Sequence, residues 1–118
     1  MFHLSLPVDD LNRCEAFYRE VFGADIRRIR PDASNIYIFA AQLTLHERPG
    51  SAMTGGARAE MHFGQVVSIE DWRAIHIKLA DRGVAMRRCI EPDVGEQRKG
   101  KMLFQDPSGN LIEINSQG

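Results

Sequence analysis

The sequence predicts an α+β fold built from two βαβββ modules that are related by a pseudo-twofold axis. The first observation is an internal repeat: "FHLSLPVDD" at 2–10 aligns with "MHFGQVVSI" at 61–69, and "GADIRRI" at 23–29 aligns with "GVAMRRC" at 83–89, with offsets of 59 and 60 residues. The second is that both halves show the same order of patterns, namely a strand, a helix and three short strand-like runs. The two halves are therefore expected to share one topology.

Each half begins with a predicted strand, at 2–8 and at 61–68. In 2–8 the apolar residues alternate with other residues at a period of two, which is typical of a strand with one apolar face. The opposite face carries His3 and Ser5. An imidazole in this place either meets water or lines a cavity.

A predicted amphipathic helix follows each of these strands. The segment 9–23 opens with two acidic residues and ends at Gly23, and the segment 68–83 opens with Ser68 and ends at Gly83. Polar residues at the start and a glycine at the end are typical helix caps.

The short runs after the helices are predicted strands. They lie at about 24–30, 35–41 and 42–47 in the first half, and at about 84–90, 100–105 and 110–115 in the second. The sequence "QDPSGN" at 105–110 predicts a tight turn, since Pro and Gly both favour turns. Two polar segments, 48–60 and 91–100, are predicted loops, and the first of them joins the modules.

Composition bounds the class of protein. With 118 residues and a net charge of −1, the chain fits one globular domain that recruits neither nucleic acid nor an anionic membrane surface. We expect a single domain over 1–118, with module 1 at about 1–50 and module 2 at about 59–118. Asp9 and Asp10 argue against a signal peptide, and no apolar run approaches the roughly 18 residues that span a bilayer. The two cysteines are interpreted as reduced core residues, so we expect a cytoplasmic protein.

Three residues form a candidate metal site. His3 and His62 are equivalent in the repeat, and Glu113 lies in the last predicted strand of the second half. If the halves pair about a pseudo-twofold axis, these side chains converge on one concave sheet. Two imidazoles and one carboxylate suit a divalent ion with open positions, namely Fe(II), Mn, Ni, Co or Zn. Thr44 occupies the position equivalent to Glu113 and is a poor ligand.

Each of these residues also has a simpler interpretation. A histidine on the polar face of a strand is usually solvated, and a glutamate between two isoleucines commonly faces solvent. The repeat-equivalence of His3 and His62 favours the metal site over these alternatives. His46 lies on the same predicted strand face as Thr44, and its role stays open between metal ligand, neighbour of the ligands and surface residue. His76, on the apolar side of the second helix, is interpreted as structural.

The chain resembles the vicinal oxygen chelate superfamily, which includes glyoxalase I, extradiol dioxygenases, fosfomycin-resistance proteins, methylmalonyl-CoA epimerase and bleomycin-resistance proteins. The matching stretches are 3–26, 61–68 and 104–114, and "FQDPSGNLIEI" in the last is the most specific. The resemblance implies that the two modules form an open barrel-like sheet around a cavity that holds a metal. It places the metal ligands on His3, His62 and Glu113, with Thr44 at the fourth ligand position.

The chain departs from individual subfamilies at several positions. Glyoxalase I-like members supply Glu, and epimerase-like members Gln, where this chain has Thr44. Extradiol dioxygenases use two His and one Glu alone, which fits. Ring-cleaving and fosfomycin enzymes usually carry Tyr at the place of Leu103, and Ser5 beside His3 resembles their paired His and Thr. The resemblance therefore implies substrate contacts at Ser5, Thr44 and Leu103.

The resemblance implies a metal-dependent enzyme that acts on a small substrate whose oxygens chelate the ion, by lyase, isomerase or extradiol-type dioxygenase chemistry. His46 is the candidate general base. The alternative is a metal-free protein that sequesters a small molecule, as bleomycin-resistance proteins do. We expect a homodimer because one helix on one sheet buries little core, and small members of this kind often pair modules across chains, so that two chains share a site.

Overall fold

The computed structural model describes residues 1–50 and 60–118. The chain divides into two compact units. The first unit comprises 1–54 with 106–110, and the second comprises 55–105 with 111–118. Of the predicted linker 48–60, the part 51–59 lies outside the described residues. That both units belong to a single domain stays a prediction.

In its described residues the first unit has one helix and a four-stranded sheet. Its elements are β1 (Phe2–Val8), α1 (Leu11–Phe22), β2 (Asp25–Arg30), β3 (Ala33–Ile38) and β4 (Ala41–Glu47). The strand order is β1-β4-β3-β2, with β1 parallel to β4 and the other neighbours antiparallel.

The second unit repeats this topology. Its elements are β5 (His62–Val67), α2 (Ile69–Asp81), β6 (Met86–Ile90), β7 (Lys101–Gln105) and β8 (Leu111–Ser116). The strand order is β5-β8-β7-β6, again with one parallel pair, β5 and β8. The predicted α+β fold class of two βαβββ modules is therefore confirmed.

The predicted capping residues lie at the ends of α1 and α2. The Asp10 side chain accepts a hydrogen bond from a backbone amide of the first turn of α1, and Gly23 closes the helix with a φ of 64°. Ser68 caps α2 in the same way, and Gly83 follows the helix with a φ of 70°. A positive φ costs glycine little, so these two residues reverse the chain toward the next strand.

The predicted strand at 35–41 is wrong in its bounds. The structure ends β3 at Ile38 and places Phe39 and Ala40 in a two-residue turn with φ values of 55° and 53°. Such turns normally use Asn and Gly, so two apolar residues give no turn signal in the sequence. The ring of Phe39 packs edge-on against Phe22 at 5.1 Å, and this contact stabilises the turn.

The helix-facing side of each sheet holds the core. In the first unit α1 covers the sheet through Leu11, Phe17, Tyr18 and Val21, and in the second unit Trp72 and Leu79 of α2 are buried. The indole of Trp72 donates a hydrogen bond to the carbonyl of Ile114 at 3.1 Å. Cys14 is buried, whereas Cys89 is exposed, so the prediction of two core cysteines is wrong for Cys89. Cys89 lies on β6, which is an edge strand of its sheet.

The turn between β7 and β8 packs into the first unit. The hydroxyl of Tyr18 donates to Asp106 at 2.8 Å, and the backbone amide of Asp9 donates to Ser108 at 2.8 Å. Asp106 also accepts bonds from the amides of Ser108 and Asn110. Burial raises the pKa of Asp106 against the opposing effect of these hydrogen bonds. The predicted tight turn is thus a buried structural element that Asp106 holds through several hydrogen bonds.

None of the helices in the described ranges combines the length and the apolarity needed to cross a bilayer.

Candidate metal centre

The second unit brings two of the predicted ligands together. Strand alternation and the pairing of Gly64 with Glu113 put His62 and Glu113 on one face of the sheet. The Nε2 atom of His62 lies 3.5 Å from Oε2 of Glu113. On the opposite face, Ile112 and Ile114 are fully buried. The flanking isoleucines therefore fix the strand, and Glu113 is left half-buried on the free face.

The orientation of His62 suits a metal ligand. Its Nδ1 lies 2.9 Å from the carbonyl of Glu60, and because a carbonyl only accepts, Nδ1 carries the proton that is donated. In the neutral ring, Nε2 then holds a lone pair that faces the carboxylate of Glu113. A cation between these two acceptor atoms, either a proton or a metal ion, stabilises such an arrangement. Ligand atoms that share one ion at about 2.0–2.2 Å lie roughly 3–3.5 Å apart, so the pair fits a divalent metal.

Lys101 is a residue of this centre that the sequence interpretation missed. Its Nζ lies 3.4 Å from Oε1 of Glu113, the carboxylate oxygen that does not face His62. Lys101 lies two residues before Leu103, which pairs with Glu113 across β7 and β8. The alternation of β7 is the signal that places Lys101 on the face of Glu113, provided that the register between the strands is known.

Leu103, which is predicted to contact the substrate, pairs with Glu113 and so lies beside the centre. Its pairing with Glu113 puts both side chains on the same face of neighbouring strands. The leucine offers an apolar surface next to the carboxylate and no hydroxyl. The predicted substrate contact would therefore be a packing contact.

Gly64 is a second residue that the sequence interpretation missed. It pairs with Glu113, and a Cβ atom at this position would lie 1.6 Å from the backbone oxygen of Glu113. Only glycine permits the observed approach of β5 to β8 at this point. A glycine inside a strand pattern is the sequence signal for such an approach.

The remaining predicted site residues lie on one face of the first sheet. His3 is exposed, and its Nε2 lies 3.3 Å from the hydroxyl of Ser5. Ser5 pairs with Thr44, whose own hydroxyl donates to Asn35 at 2.8 Å. Thr44 is buried, and its hydroxyl proton is used in the bond to Asn35. The hydroxyl oxygen can therefore offer a ligand only a lone pair.

His46 lines an open depression in the first unit. The depression measures about 270 Å³ and is bounded by Ser5, Leu6, Pro7, His46 and Arg48. Pro7 pairs with His46 across β1 and β4, so His46 and Ser5 share a sheet face, as the alternation predicted. This places an imidazole beside the hydroxyl of Ser5.

The structure brings two of the three predicted metal ligands together. His62 and Glu113 belong to the second unit and His3 belongs to the first. Within the described residues of either unit, no three His, Cys, Asp or Glu side chains lie close enough to hold one metal ion. The contribution of His3 stays a prediction.

These features define a two-module fold that carries a histidine and a carboxylate on the open face of its second sheet. The sequence profile of the Glyoxalase/Bleomycin resistance protein/Dioxygenase superfamily matches residues 1–114, and the chain belongs to this superfamily. The predicted family resemblance is confirmed.

Individual proteins are similar to this chain in sequence or in fold. A trivalent organoarsenical cleaving enzyme from Bacillus sp. (strain MD1) is 29% identical over 120 residues, covering 95% of this chain and 70% of that enzyme. A glyoxalase/bleomycin resistance protein/dioxygenase from Alicyclobacillus acidocaldarius is 24% identical, with a TM-score of 0.77 and coverage of 98% of this chain and 89% of that one. The fosfomycin resistance protein FosX from Listeria monocytogenes, complexed with Mn(II) and sulfate, is 20% identical, with a TM-score of 0.80 and coverage of 100% and 90%.

Proposed function

We propose that this protein is a metal-dependent enzyme that acts on a small oxygen-bearing substrate. The observation that carries the proposal is the pair of His62 and Glu113, whose facing acceptor atoms lie 3.5 Å apart. The proposed ligands are His3, His62 and Glu113, and the proposed ion is Fe(II), Mn, Ni, Co or Zn. The similar FosX structure contains Mn(II), which supports a divalent ion in this fold.

The ligand set defines the kind of chemistry. A divalent ion held by two imidazoles and one carboxylate supplies Lewis acidity to substrate oxygens and keeps open coordination positions for them. Lyase, isomerase and extradiol-type dioxygenase reactions all use this property. The carbonyl of Glu60 holds His62 in the tautomer that leaves Nε2 free.

Residues of the first sheet, together with Leu103 of the second sheet, supply the remaining roles. We assign His46 as the general base, since an imidazole accepts and returns protons near neutral pH. Ser5 and His46 border the same depression, so a substrate there meets both side chains. Thr44 and Leu103 are proposed to contact the substrate without ligating the ion.

We propose a substrate that binds through oxygen, in contrast to the arsenical of the Bacillus relative. Trivalent arsenic is a soft centre that thiolates capture, and the chain has two cysteines. Burial raises the pKa of the Cys14 thiol to about 12. Cys89 pairs with Met102, which is buried on the helix-facing side, so Cys89 lies on the sheet face away from Glu113. Burial and the charge of Glu91 raise the pKa of the Cys89 thiol as well. Neither thiol suits arsenic capture at the proposed centre.

The experiment is a metal-dependent activity screen. Metal-stripped protein is reloaded separately with Fe(II), Mn, Ni, Co and Zn, the first under anaerobic conditions. Each form is assayed with a catechol and oxygen, with a methylglyoxal–thiol hemithioacetal, and with a small epoxide and water. We expect at least one metal to support turnover that chelator abolishes and that His62→Ala lacks.

The same screen tests the alternative. If no metal is taken up and no substrate is turned over, the metal-dependent function is wrong. A metal-free protein that sequesters a small molecule, as the bleomycin-resistance proteins do, is then the better proposal. Equilibrium binding of small aromatic ligands to metal-stripped protein would support it.

A further inference from the structure

Lys101 places a positive charge on the carboxylate that is proposed to bind the metal. Its Nζ lies 3.4 Å from Oε1 of Glu113, while His62 faces the other oxygen, Oε2. The Lys101 side chain is 36% exposed, so its ammonium group reaches the open face of the sheet. The two oxygens of one carboxylate thus face two different partners, the ammonium group of Lys101 and the imidazole of His62.

Strand alternation shows which charges share this face. Glu113 pairs with Leu103, and Leu103 pairs with Arg88 on the outer strand β6. The face therefore carries Lys101 and Arg88 as well as His62. Glu113 is the single carboxylate among the β5–β8 residues that alternation assigns to it.

Binding of a divalent ion changes the electrostatics of this face. When the charge of Glu113 is shared with the ion, Lys101 loses most of its anionic partner and lies near a second positive charge. Like charges at such separations repel, and Arg88 adds to the positive potential. A negative group beside the ion relieves the repulsion and restores a partner for the ammonium.

Resting on the proposed function, we propose that Lys101 binds an oxyanion group of the substrate beside the metal, and that the anion and the metal bind cooperatively. The substrate class is a small molecule in which a carboxylate or phosphonate-type group is attached near the oxygens that reach the ion. Without substrate, Lys101 pairs with Glu113 and competes with the metal. With substrate, Lys101 turns to the anion and leaves Glu113 to the metal.

The experiment measures Mn(II) affinity directly. Free Mn(II) is followed by electron paramagnetic resonance in titrations of metal-stripped protein, with no added anion, with methylphosphonate, or with acetate. For the unaltered chain we expect either anion, or one of them, to tighten Mn(II) binding by about two- to fivefold, the range for one partly exposed ion pair. The anion that acts distinguishes a phosphonate-type from a carboxylate substrate.

Variants separate Lys101 from general charge effects. Lys101→Met should bind Mn(II) about two- to fivefold more tightly without anion and should no longer respond to either anion. Lys101→Arg keeps the charge and should still respond. Lys99→Met, at an exposed lysine of the 91–100 segment, should behave as the unaltered chain does.

The outcomes distinguish the two proposals. If the unaltered chain binds Mn(II) without any response to anions, or if Lys101→Met responds as strongly as the unaltered chain, the role of Lys101 is wrong and the metal site stands. If the unaltered chain takes up no Mn(II), Fe(II), Ni, Co or Zn, the proposed function is wrong and the role of Lys101 falls with it.

Discussion

At the scale of single residues, the centre depends on how closely β5 approaches β8. The approach occurs where Gly64 faces the backbone of Glu113, so one hydrogen atom in place of a side chain decides the position of a proposed ligand. The Lys101–Glu113 pair and the Glu60 carbonyl then fix the two side chains around that point.

Gly64→Ala tests this dependence. The added methyl group would lie 1.6 Å from the oxygen of Glu113, so the strands must separate or shift register. We expect a loss of about 1–3 kcal/mol in the free energy of unfolding, the usual cost of overpacking, together with weaker metal binding. Urea denaturation and a Mn(II) titration measure the two effects.

Gly95→Ala is the matched control for that variant. A Cβ at Gly95 meets Oδ1 of Asp93 at 3.4 Å, which is an ordinary contact, so both quantities should stay close to those of the unaltered chain. Equal effects of Gly64→Ala and Gly95→Ala would show that the close approach of β5 to β8 has no special importance.

At the scale of elements, α1 is joined to its sheet by a charged contact that the sequence did not predict. Arg27 and Arg28 are neighbours on the edge strand β2, and their side chains have different partners. The structure shows that Arg28 donates to Glu15 on α1 and to Ser34 on β3, whereas Arg27 is exposed and lies 3.6 Å from Asp25. Burial by itself raises the pKa of Glu15, but hydrogen bonds from Arg28 and Ser34 outweigh it, so the pKa of Glu15 is lowered from 4.5.

Arg28→Met should therefore destabilise the protein in a pH-dependent way. A lowered pKa means that Glu15 contributes stability above about pH 4.5 and that this contribution is lost as pH falls through the lower folded value. At pH 7 we expect the free energy of unfolding to fall by about 1–3 kcal/mol, a range that allows for the 39% exposure of the Arg28 side chain. At pH 3 we expect a smaller loss. Urea denaturation at both pH values measures it.

Arg27→Met is the control on the same strand. Its exposed ion pair should contribute less than about 0.5 kcal/mol at either pH. A loss from Arg28→Met that is as large at pH 3 as at pH 7 would contradict the role of Glu15 and would point to lost packing of the arginine stem.

The elements also show how far local sequence patterns reach. Caps at Asp10, Gly23 and Ser68 mark the helix ends because a cap acts on its own helix within a few residues. The end of β3 could not be predicted from the sequence, because Phe39 adopts a positive φ that phenylalanine does not favour. Its contact with the ring of Phe22 holds it in this conformation. A contact between distant residues overrides the local signal in this case.

At the scale of the whole molecule, the internal repeat is what made the fold predictable. Two halves with the same order of patterns must share a topology, and both sheets follow it. The repeat and the strand alternation together selected His62 and Glu113, which the second unit brings together. Lys101 could not be assigned to the site from the sequence, because its contact with Glu113 depends on the register of β7 against β8. Neither strand encodes that register by itself.

A homodimer is the predicted assembly. Among the described elements, each βαβββ module has one helix on one four-stranded sheet, so pairing of modules across chains would bury further apolar surface. Multi-angle light scattering at micromolar concentration should give twice the chain mass of 13.3 kDa. A mass of one chain, unchanged on concentration, would contradict this prediction.

The metal content of His62→Ala tests the central claim most directly. Proteins dialysed against Mn(II), Fe(II), Ni, Co or Zn are freed of excess ion and analysed by mass spectrometry of the elements. The account predicts one ion per chain in the unaltered protein and in the control His76→Ala, whose imidazole lies 3.7 Å from the Cys89 sulfur. It predicts less than a tenth of that in His62→Ala, with an unchanged circular dichroism spectrum. Equal metal in His62→Ala and the unaltered protein, or no metal in the unaltered protein, would contradict the account.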